Sequence, residues 1–217
     1  MASFKAFNLS SSLISALEKL GYKEPSKVQS VVIPRALRGK SLLAQSATGS
    51  GKTHAYLIPV LAKLDMNLER VQDIIVCPTR ELARQTYEFT RAFIRFYPKL
   101  KVRLFTSESE VNQNVEGLSI APQIVIGTPG RIHDILVEQH LLSLNNVRTV
   151  VLDEADMLLD LGYFEDIASL FSILEEPQIL VFSATLKQNL KDELNRFVKS
   201  DFEYENEEVN TASSVRH

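Results

Sequence analysis

The sequence contains few of the residues and segments that build disulfide-linked or membrane-bound proteins. Cys77 is the only cysteine among 217 residues, so no internal disulfide can form, and its place at the end of an apolar segment favours a buried thiol over a reactive one. No apolar run approaches the roughly 20 residues of a membrane span, and the N-terminus lacks the basic and then apolar layout of a signal peptide. We therefore expect a cytoplasmic protein without membrane contact.

The sequence also lacks a basic excess and a histidine pattern that would hold a metal ion. Its net charge is −3, so binding to nucleic acid would depend on locally placed groups rather than on bulk charge. The 4 histidines have no spacing typical of metal ligands. Hydrophobic residues make up 45% and charged residues 24% of the chain, close to the globular average, which excludes the disordered and fibrous classes.

Short apolar segments alternate along the chain with segments of helical periodicity. The apolar segments predict strands at residues 41–45, 73–77, 102–105, 124–126, 149–152 and 179–182. Helices are predicted at residues 10–20, 26–37, 52–64, 80–97, 130–138, 161–174 and 186–198. Because most of the strands are continuous apolar runs, they indicate the α/β class, with a mostly parallel, doubly wound sheet and helices on both faces.

Composition divides the chain into three parts. Residues 1–39 are an N-terminal helical segment, and residues 40–204 form one α/β domain of ordinary size. The stretch from residue 201 onwards is acidic and then rich in Asn, Thr and Ser, so residues 205–217 are interpreted as the start of a linker. A linker with nothing after it suggests a fragment of a longer protein.

A candidate phosphate-binding loop is the most informative motif. It follows the first predicted strand, opens a helical segment and consists of Ser46, Ala47, Thr48, Gly49, Ser50, Gly51, Lys52 and Thr53. The glycines let successive backbone amides point at one phosphate chain, Lys52 supplies a charge for the outer phosphates, and the Thr53 hydroxyl can reach a Mg²⁺ ion. The usual pattern has Gly where this chain has Ser46. A Gly/Ser turn with an incidental lysine is the alternative.

Two adjacent acidic residues, Asp153 and Glu154, follow the predicted strand at 149–152. The carboxyl ends of strands are where open α/β sheets bind ligands. Asp153 is a candidate Mg²⁺ ligand, partly through water, and Glu154 is a candidate base for the water that attacks the γ-phosphate. We expect a nucleoside triphosphate and Mg²⁺ as cofactors, with Lys52, Asp153 and Glu154 as catalytic groups. A surface acidic cluster is the alternative.

Five short motifs in one order resemble the first RecA-like domain of the DEAD-box RNA helicases. They are residues 47–53, 78–83, 128–131, 153–156 and 183–185, and the resemblance covers nearly the whole chain. It implies a RecA-like P-loop NTPase and an ATP-dependent RNA helicase. The family's adenine-binding element is similar to residues 21–29, with Tyr22 and Gln29, and to the isolated upstream aromatic Phe4. A glutamine amide matches adenine and mismatches guanine, although alone Gln29 reads as a polar residue on an amphipathic helix.

The resemblance also implies which residues bind RNA. They would hold the sugar-phosphate backbone without reading sequence, and they are Pro78, Thr79, Arg80, Thr128, Pro129, Gly130 and Arg131. Helix capping by threonine, with the arginines in surface ion pairs, is the alternative. Asp156, Ser183 and Thr185 would couple the nucleotide loop to the RNA face, or the two hydroxyls would merely cap the next helix.

Other expectations follow from departures from the family pattern. Thr106 and Ser107 stand where the family usually has a Gly-Gly pair, so we assign no RNA contact to either. The motifs of a second RecA-like domain, including its arginine fingers, are missing, so this chain alone, expected to be a monomer, should bind nucleotide weakly and unwind nothing. An ATP-gated RNA clamp whose hydrolysis serves only release, and a DNA translocase, are the competing functions.

Overall fold

The computed structural model of the protein describes residues 3–47, 49–106, 120–196 and 203–206. Two residues discussed above, Thr48 and Ser107, lie outside these ranges, as do residues 207–217 of the expected linker. No helix in this part of the chain is both long and apolar enough to cross a membrane.

Seven strands within the described residues form one sheet, and every neighbouring pair is parallel. They are β1 (Leu42–Gln45), β2 (Asp73–Val76), β3 (Val102–Phe105), β4 (Ile124–Gly127), β5 (Thr149–Leu152), β6 (Gln178–Ser183) and β7 (Glu203–Asn206). Their spatial order is β3-β4-β2-β5-β6-β1-β7. The first six agree with the predicted strands to within one residue at each end, which confirms the predicted parallel α/β sheet.

The seventh strand corrects the expectation that a linker starts at residue 205. It pairs in parallel with β1, with Leu42 opposite Glu203 and Gln45 opposite Asn206. The sequence of β7, Glu-Tyr-Glu-Asn, carries almost no apolar signal, whereas strand pairing at the edge of a sheet needs only backbone groups. The boundary proposed between residues 204 and 205 falls inside this strand.

The helices of the described chain pack on both faces of the sheet. They are α1 (Ser11–Lys19), α2 (Lys27–Leu37), α3 (Lys52–Lys63), α4 (Arg80–Arg91), α5 (Pro129–Ile132), α6 (Ala155–Asp160), α7 (Phe164–Ser172) and α8 (Gln188–Asn195), with a 3₁₀ turn at Phe4–Phe7 and a π-helical segment at His133–Glu138. Buried residues of α1 to α4 belong to one apolar cluster and those of α5 to α8 to another. Successive strand residues such as Ile74 and Ile75 enter opposite clusters, which explains the continuous apolar strand sequences.

Two helical segments differ most from their predicted bounds. The helix predicted at 80–97 ends at Arg91, and turns follow it. The helix predicted at 161–174 begins only at Phe164, because Gly162 adopts a left-handed φ of 79° and separates α7 from the unpredicted helix α6. The new helix α6 starts directly after Glu154 and thus fixes the acidic pair at a strand-to-helix junction.

The parallel arrangement gives the sheet two different rims. The carboxyl-end rim, where β1 to β6 end, carries the phosphate-binding loop after β1 and the acidic pair after β5. The amino-end rim, where the same strands begin, carries Gln72, Gln123 and Gln178. All five motifs of the sequence analysis therefore lie at the carboxyl-end rim, where parallel sheets bind ligands.

Candidate functional site

The loop between β1 and α3 has the backbone that phosphate binding requires. Gly49 and Gly51 have φ values of 83° and 97°, which L side chains rarely adopt. A Cβ at Gly51 would lie 2.6 Å from Nε2 of Gln29, so a larger residue would displace the Gln29 amide. Gly51 is also the N-cap of α3 and provides no side-chain cap. Among the residues that the structure describes, no N-cap side chain bonds the first amides of this 12-residue helix, as a site for phosphate needs.

Ser46, which departs from the usual glycine, is a buried part of this loop. Its amide donates a hydrogen bond of 3.0 Å to the Ser183 carbonyl at the end of β6. Its hydroxyl donates to the Ser50 hydroxyl across the loop. Ala47 is exposed between them. Ser46 thus connects the start of the loop to Ser50 and to the end of β6. The glycines of the loop are Gly49 and Gly51.

The side chains that follow β1 and β5 meet, although β6 lies between these two strands. Lys52 Nζ is 2.8 Å from Glu154 Oε1. Only 5% of the Lys52 side chain and 13% of the Glu154 side chain are exposed. A charge buried this far is stable only with a partner, so each side chain depends on the other. The contact confirms the prediction that the phosphate-binding loop and the acidic pair converge on one rim.

Glu154 has an unusual backbone conformation. Its φ of 49° and ψ of 55° are left-handed, which costs a non-glycine residue about 1–2 kcal/mol. Strain of this kind is characteristic of functional positions. The two acidic side chains contact different residues of α3, since Glu154 bonds Lys52 and Asp153 bonds Tyr56.

Asp153 is held by two hydrogen bonds in a nearly closed environment. It is 6% exposed, its Oδ2 accepts from the Tyr56 hydroxyl at 2.8 Å, and its Oδ1 accepts from the Glu154 amide at 3.0 Å. Burial raises the pKa of Asp153 to about 6, against the opposing effect of the Tyr56 hydrogen bond. Tyr56 also lies 3.2 Å from the Thr86 hydroxyl of α4. Sequence reasoning missed Tyr56 because it lies in an apolar stretch of α3.

The two predicted RNA-binding motifs line one open cleft of about 760 Å³. Its lining residues are Pro78, Thr79, Arg80, Glu81, Thr106, Thr128, Gly130, Arg131, Leu161 and Tyr163. A Cβ at Gly127 would lie 2.4 Å from the Phe105 carbonyl, so β3 and β4 approach closely below the cleft. Pro129 is buried and is not part of the lining. Six of these residues were predicted RNA contacts, Thr106 was assigned no contact, and Glu81, Leu161 and Tyr163 were not selected from the sequence.

The capping alternative applies to one of the two threonines. Thr79 Oγ1 accepts from the Leu82 amide at 3.3 Å and so caps α4, whereas Thr128 makes no side-chain capping bond. Arg131 forms an ion pair with Asp134 at 2.5 Å. Arg80 is exposed and has no hydrogen bond or ion pair within the described residues. Of these side chains, Arg80 and Thr128 are the ones without a competing structural bond.

The three residues predicted to couple the two faces form one hydrogen-bonded cluster. The Thr185 hydroxyl and amide both donate to Asp156 Oδ2, at 2.9 and 3.0 Å. The Ser183 hydroxyl accepts from the Asp156 amide at 3.2 Å and donates to the Thr185 carbonyl at 2.7 Å. Burial alone would raise the pKa of Asp156, but these hydrogen bonds outweigh it and lower the pKa. Neither hydroxyl caps α8, whose N-cap is Lys187.

Comparison with known proteins decides the family. A family model described as DEAD/DEAH box helicase matches residues 26–193. The chain belongs to the DEAD/DEAH box helicase family. The matched span contains the phosphate-binding loop, the acidic pair and the coupling cluster.

Bacterial relatives of this DEAD-box domain match it along most of its length. It is 37% identical over 218 residues to the DEAD-box ATP-dependent RNA helicase CshB of Bacillus subtilis, covering 99% of this chain and 50% of the relative. It is 40% identical over 199 residues to the DEAD-box ATP-dependent RNA helicase CshA of Bacillus cereus, covering 91% of this chain and 38% of the relative. The domain thus spans half or less of the length of these relatives.

Solved structures confirm the RecA-like fold of the DEAD-box domain. A DEAD box protein from the hyperthermophile Methanococcus jannaschii is 31% identical with a TM-score of 0.88, covering 97% of this chain and 57% of that one. Dbp5 of S. cerevisiae bound to RNA and ADP BeF3 is 30% identical with a TM-score of 0.84, covering 94% of this chain and 52% of that one.

Gln29 of this DEAD-box domain is a buried structural bridge as well as a candidate adenine contact. Its Oε1 accepts from the Ser26 amide and its Nε2 donates to the Gly51 carbonyl, both at 3.0 Å. It is 7% exposed and forms a capping box with Ser26 at the start of α2, so it has a structural role of its own. One N–H and one oxygen lone pair of the amide remain for a ligand, and adenine binding stays a prediction.

The two aromatic candidates of the adenine element lie in different environments. Phe4 is 3% exposed and packs edge-on against Phe7, with ring centroids 6.0 Å apart. Tyr22 is half-buried, 4.2 Å from the ring centroid of His54, which also contacts Phe89 at 5.2 Å. Burial lowers the pKa of His54 to about 4, so this ring is neutral near pH 7. Adenine contacts of Phe4 and Tyr22 stay predictions, and the sequence gave no signal for His54.

The donor set at the acidic pair fits Mg²⁺ and does not fit zinc. Thr53 and Asp153 offer oxygen donors only, and each Asp153 oxygen keeps a lone pair beside its hydrogen bond. No cluster of three or more His, Cys, Asp or Glu that could hold a metal occurs in the described ranges. Zinc sites need such a cluster, whereas Mg²⁺ keeps several waters and takes one or two protein ligands plus phosphate.

Proposed function

We propose that this DEAD-box domain binds Mg·ATP and the backbone of RNA, and that a protein combining it with a second RecA-like domain hydrolyses ATP in response to RNA and separates short RNA duplexes. The observation that carries the proposal is the 2.8 Å contact between Lys52 and Glu154. It brings the residue for phosphate binding and the residue for proton transfer to one place. The names of the CshB and CshA relatives support the same activity.

The residues around that contact have separable roles in the proposal. The amides at the start of α3 and the Lys52 ammonium bind the phosphate chain. Glu154 orients the attacking water and accepts its proton. Thr53 and Asp153 would hold Mg²⁺, which when bound neutralises charge on the phosphates. Before ATP arrives, Glu154 holds Lys52 in place, so ATP binding replaces one charged partner of Lys52 with another.

RNA binding is assigned to the cleft lined by Arg80, Thr128 and Arg131. The guanidinium of Arg80 is exposed, and the Thr128 hydroxyl has no capping bond, so both are open to phosphate oxygens. Dbp5, whose structure was solved with RNA and ADP BeF3, supports a nucleic-acid strand on this fold. In the proposal, Asp156, Ser183 and Thr185 transmit the state of the nucleotide loop to the RNA side, because Ser46 is bonded to the same strand end as this cluster.

A second RecA-like domain is part of the proposal because this chain covers half or less of the length of its bacterial relatives. Arginine fingers from that domain would supply a rate factor of about 10³–10⁵. The isolated domain is then a monomer with little turnover, and the cytoplasm is its proposed location. An ATP-gated clamp would use the same contacts, and no contact among the described residues favours it.

The test compares ATP turnover, with and without RNA, for this chain and for a fusion in which the second half of B. subtilis CshB follows it. We expect turnover near background from this chain alone and RNA-stimulated turnover with strand displacement from the fusion. Strong turnover by this chain alone would refute the need for a second domain. Absence of RNA-stimulated turnover in a folded fusion would refute the helicase proposal.

A further inference from the structure

We propose that Tyr56 is a positioning residue for the Mg·ATP site: its hydroxyl orients the Asp153 carboxylate and connects it to α4, the helix that begins at Arg80. The inference rests on the proposed function, since it concerns how this chain prepares its candidate Mg²⁺ ligand.

The bonds around Tyr56 form a chain with one consistent direction. Ionised Asp153 only accepts, so the 2.8 Å bond to its Oδ2 uses the single hydroxyl proton of Tyr56. The 3.2 Å contact with Thr86 must then run the other way, with the Thr86 hydroxyl donating to the Tyr56 oxygen. The Cys77 thiol in turn donates to Thr86 Oγ1 at 3.9 Å. Each hydroxyl in the chain donates once and accepts once, and the chain ends on the carboxylate.

This arrangement fixes the plane of the Asp153 carboxylate. One oxygen is held by the Glu154 amide and the other by Tyr56. Without the Tyr56 hydroxyl, only the Glu154 bond would restrain rotation of the carboxylate about its χ2 angle. Partners that orient a metal ligand from outside typically change metal affinity by about 10–100-fold when they are removed.

Tyr56 is suited to this role because its ring is fixed independently of its hydroxyl. The side chain is fully buried, and its ring lies 5.3 Å from that of Phe182 in an edge-on contact. Phenylalanine would fill the same space, so Tyr56→Phe removes the oxygen and little else. Thr86 stands six residues after Arg80 on α4, so the hydroxyl pair is a direct bond between the helix after the phosphate-binding loop and the helix of the RNA cleft.

The experiment measures ATP binding to this chain over a range of Mg²⁺ concentrations and in EDTA. In Tyr56→Phe, we expect the Mg²⁺ concentration for half-maximal enhancement of ATP binding to rise by about 10-fold, while ATP affinity in EDTA changes by less than about 2-fold. Thr86→Val should shift the Mg²⁺ dependence in the same direction by less, and it should add little to Tyr56→Phe because both act through one bond. Tyr87→Phe, on the same helix as Thr86, is the matched control and should behave as wild type.

The outcomes separate this inference from the proposed function. An unchanged Mg²⁺ dependence in both Tyr56→Phe and Thr86→Val overturns the inference, as does an equal loss of ATP affinity with and without Mg²⁺, which would indicate a purely structural bond. Absence of any Mg²⁺-enhanced ATP binding by the wild-type chain would overturn the proposed nucleotide site as well. Thermal unfolding of each variant identifies a loss of fold, and Thr86→Val decides the outcome if Tyr56→Phe fails to fold.

Discussion

The two rims of the sheet both bury polar side chains, but they use them differently. At the amino-end rim, Gln123 accepts from the Lys101 amide and donates to the Lys99 carbonyl, and Gln72 donates to the Asp65 and Leu68 carbonyls. These buried side-chain amides form the hydrogen bonds that main-chain groups of neighbouring loops need. They have the pattern expected of side chains that replace missing backbone partners.

At the carboxyl-end rim, the buried polar groups are bonded mainly to one another. Lys52 pairs with Glu154, and Asp153 is held by Tyr56. Glu154 pays a conformational cost for its position. The carboxyl-end rim holds charged side chains that pair with one another, whereas the buried amides of the amino-end rim bond main-chain groups. This difference distinguishes a site prepared for a ligand from a frame that holds loops. The predictions below change one rim and ask whether the other responds.

The largest effect is expected from Glu154→Gln in the two-domain fusion. An amide keeps an oxygen for Lys52 but cannot accept the proton of the attacking water, so RNA-stimulated turnover should fall by about 10²–10⁴-fold. ATP binding should remain measurable, with its affinity changed only through the altered bond to Lys52. Steady-state turnover and equilibrium ATP binding check both parts, with the exposed Glu165→Gln as the matched control. Intact turnover in Glu154→Gln would show that the base is misassigned.

At the opposite rim, Asp73→Asn should change the pH dependence of stability. Burial raises the pKa of Asp73 to about 7 from 3.8. Below pH 4 the carboxyl is protonated in both states; as pH rises to about 7, the unfolded chain releases the proton while the folded one keeps it. The contribution of Asp73 to the free energy of unfolding therefore falls by up to about 4 kcal/mol as the pH rises from about 4 to about 7.

Asp73→Asn should not show this pH-dependent fall in the free energy of unfolding, because its amide does not titrate. Its free energy of unfolding should exceed that of wild type increasingly between pH 4 and 7, with ATP affinity unchanged. Denaturant unfolding across this pH range measures the difference. Parallel curves for the two proteins would contradict the buried, protonated state of Asp73.

Gln123→Ala should lower the stability of the fold without affecting ATP binding. It leaves the Lys101 amide and the Lys99 carbonyl without their partner, and an unsatisfied buried group costs about 1–3 kcal/mol. Denaturant unfolding should show this loss, while ATP affinity at the other rim stays as in wild type. A fall in ATP affinity at full folding would break the distinction between the rims.

The smallest effect is expected from Arg80→Ala on RNA binding. Losing one phosphate contact should weaken binding equally across RNA sequences and reduce the slope of log affinity against log salt by about 1. Arg38→Ala, an exposed arginine near the amino-end rim, is the control. An unchanged salt slope in Arg80→Ala would remove this residue from the RNA interface.

Hydrophobic pattern and motif spacing identified six strands, the phosphate-binding loop and the acidic pair. These features are local: a continuous apolar run indicates a doubly covered strand, and Gly51 with Lys52 indicates a loop before a helix. The convergence of Lys52 with Glu154 followed from a general rule about the ends of parallel strands. Such rules suffice to locate the site along the chain and on the rim.

The sequence did not disclose features that depend on tertiary contacts. Tyr56 reads as an apolar helix residue until α3 is placed against β5. The hydrogen bond from Gln29 to the Gly51 carbonyl depends on the packing of α2 against α3, which the sequence does not show. The left-handed backbone of Glu154 could not be predicted from the sequence, because glutamate rarely adopts this conformation. β7 pairs through its backbone, which side-chain pattern does not report.

The most direct test of the shared pocket is a double-mutant cycle on ATP affinity in this chain, using Lys52→Ala, Glu154→Gln and the double variant. If the two side chains meet as the 2.8 Å contact indicates, Glu154→Gln changes the availability of Lys52 and has no such effect once Lys52 is absent. The account predicts a coupling energy above about 0.5 kcal/mol. Effects that add within about 0.3 kcal/mol would contradict it, because independent changes are expected only of sites that do not touch.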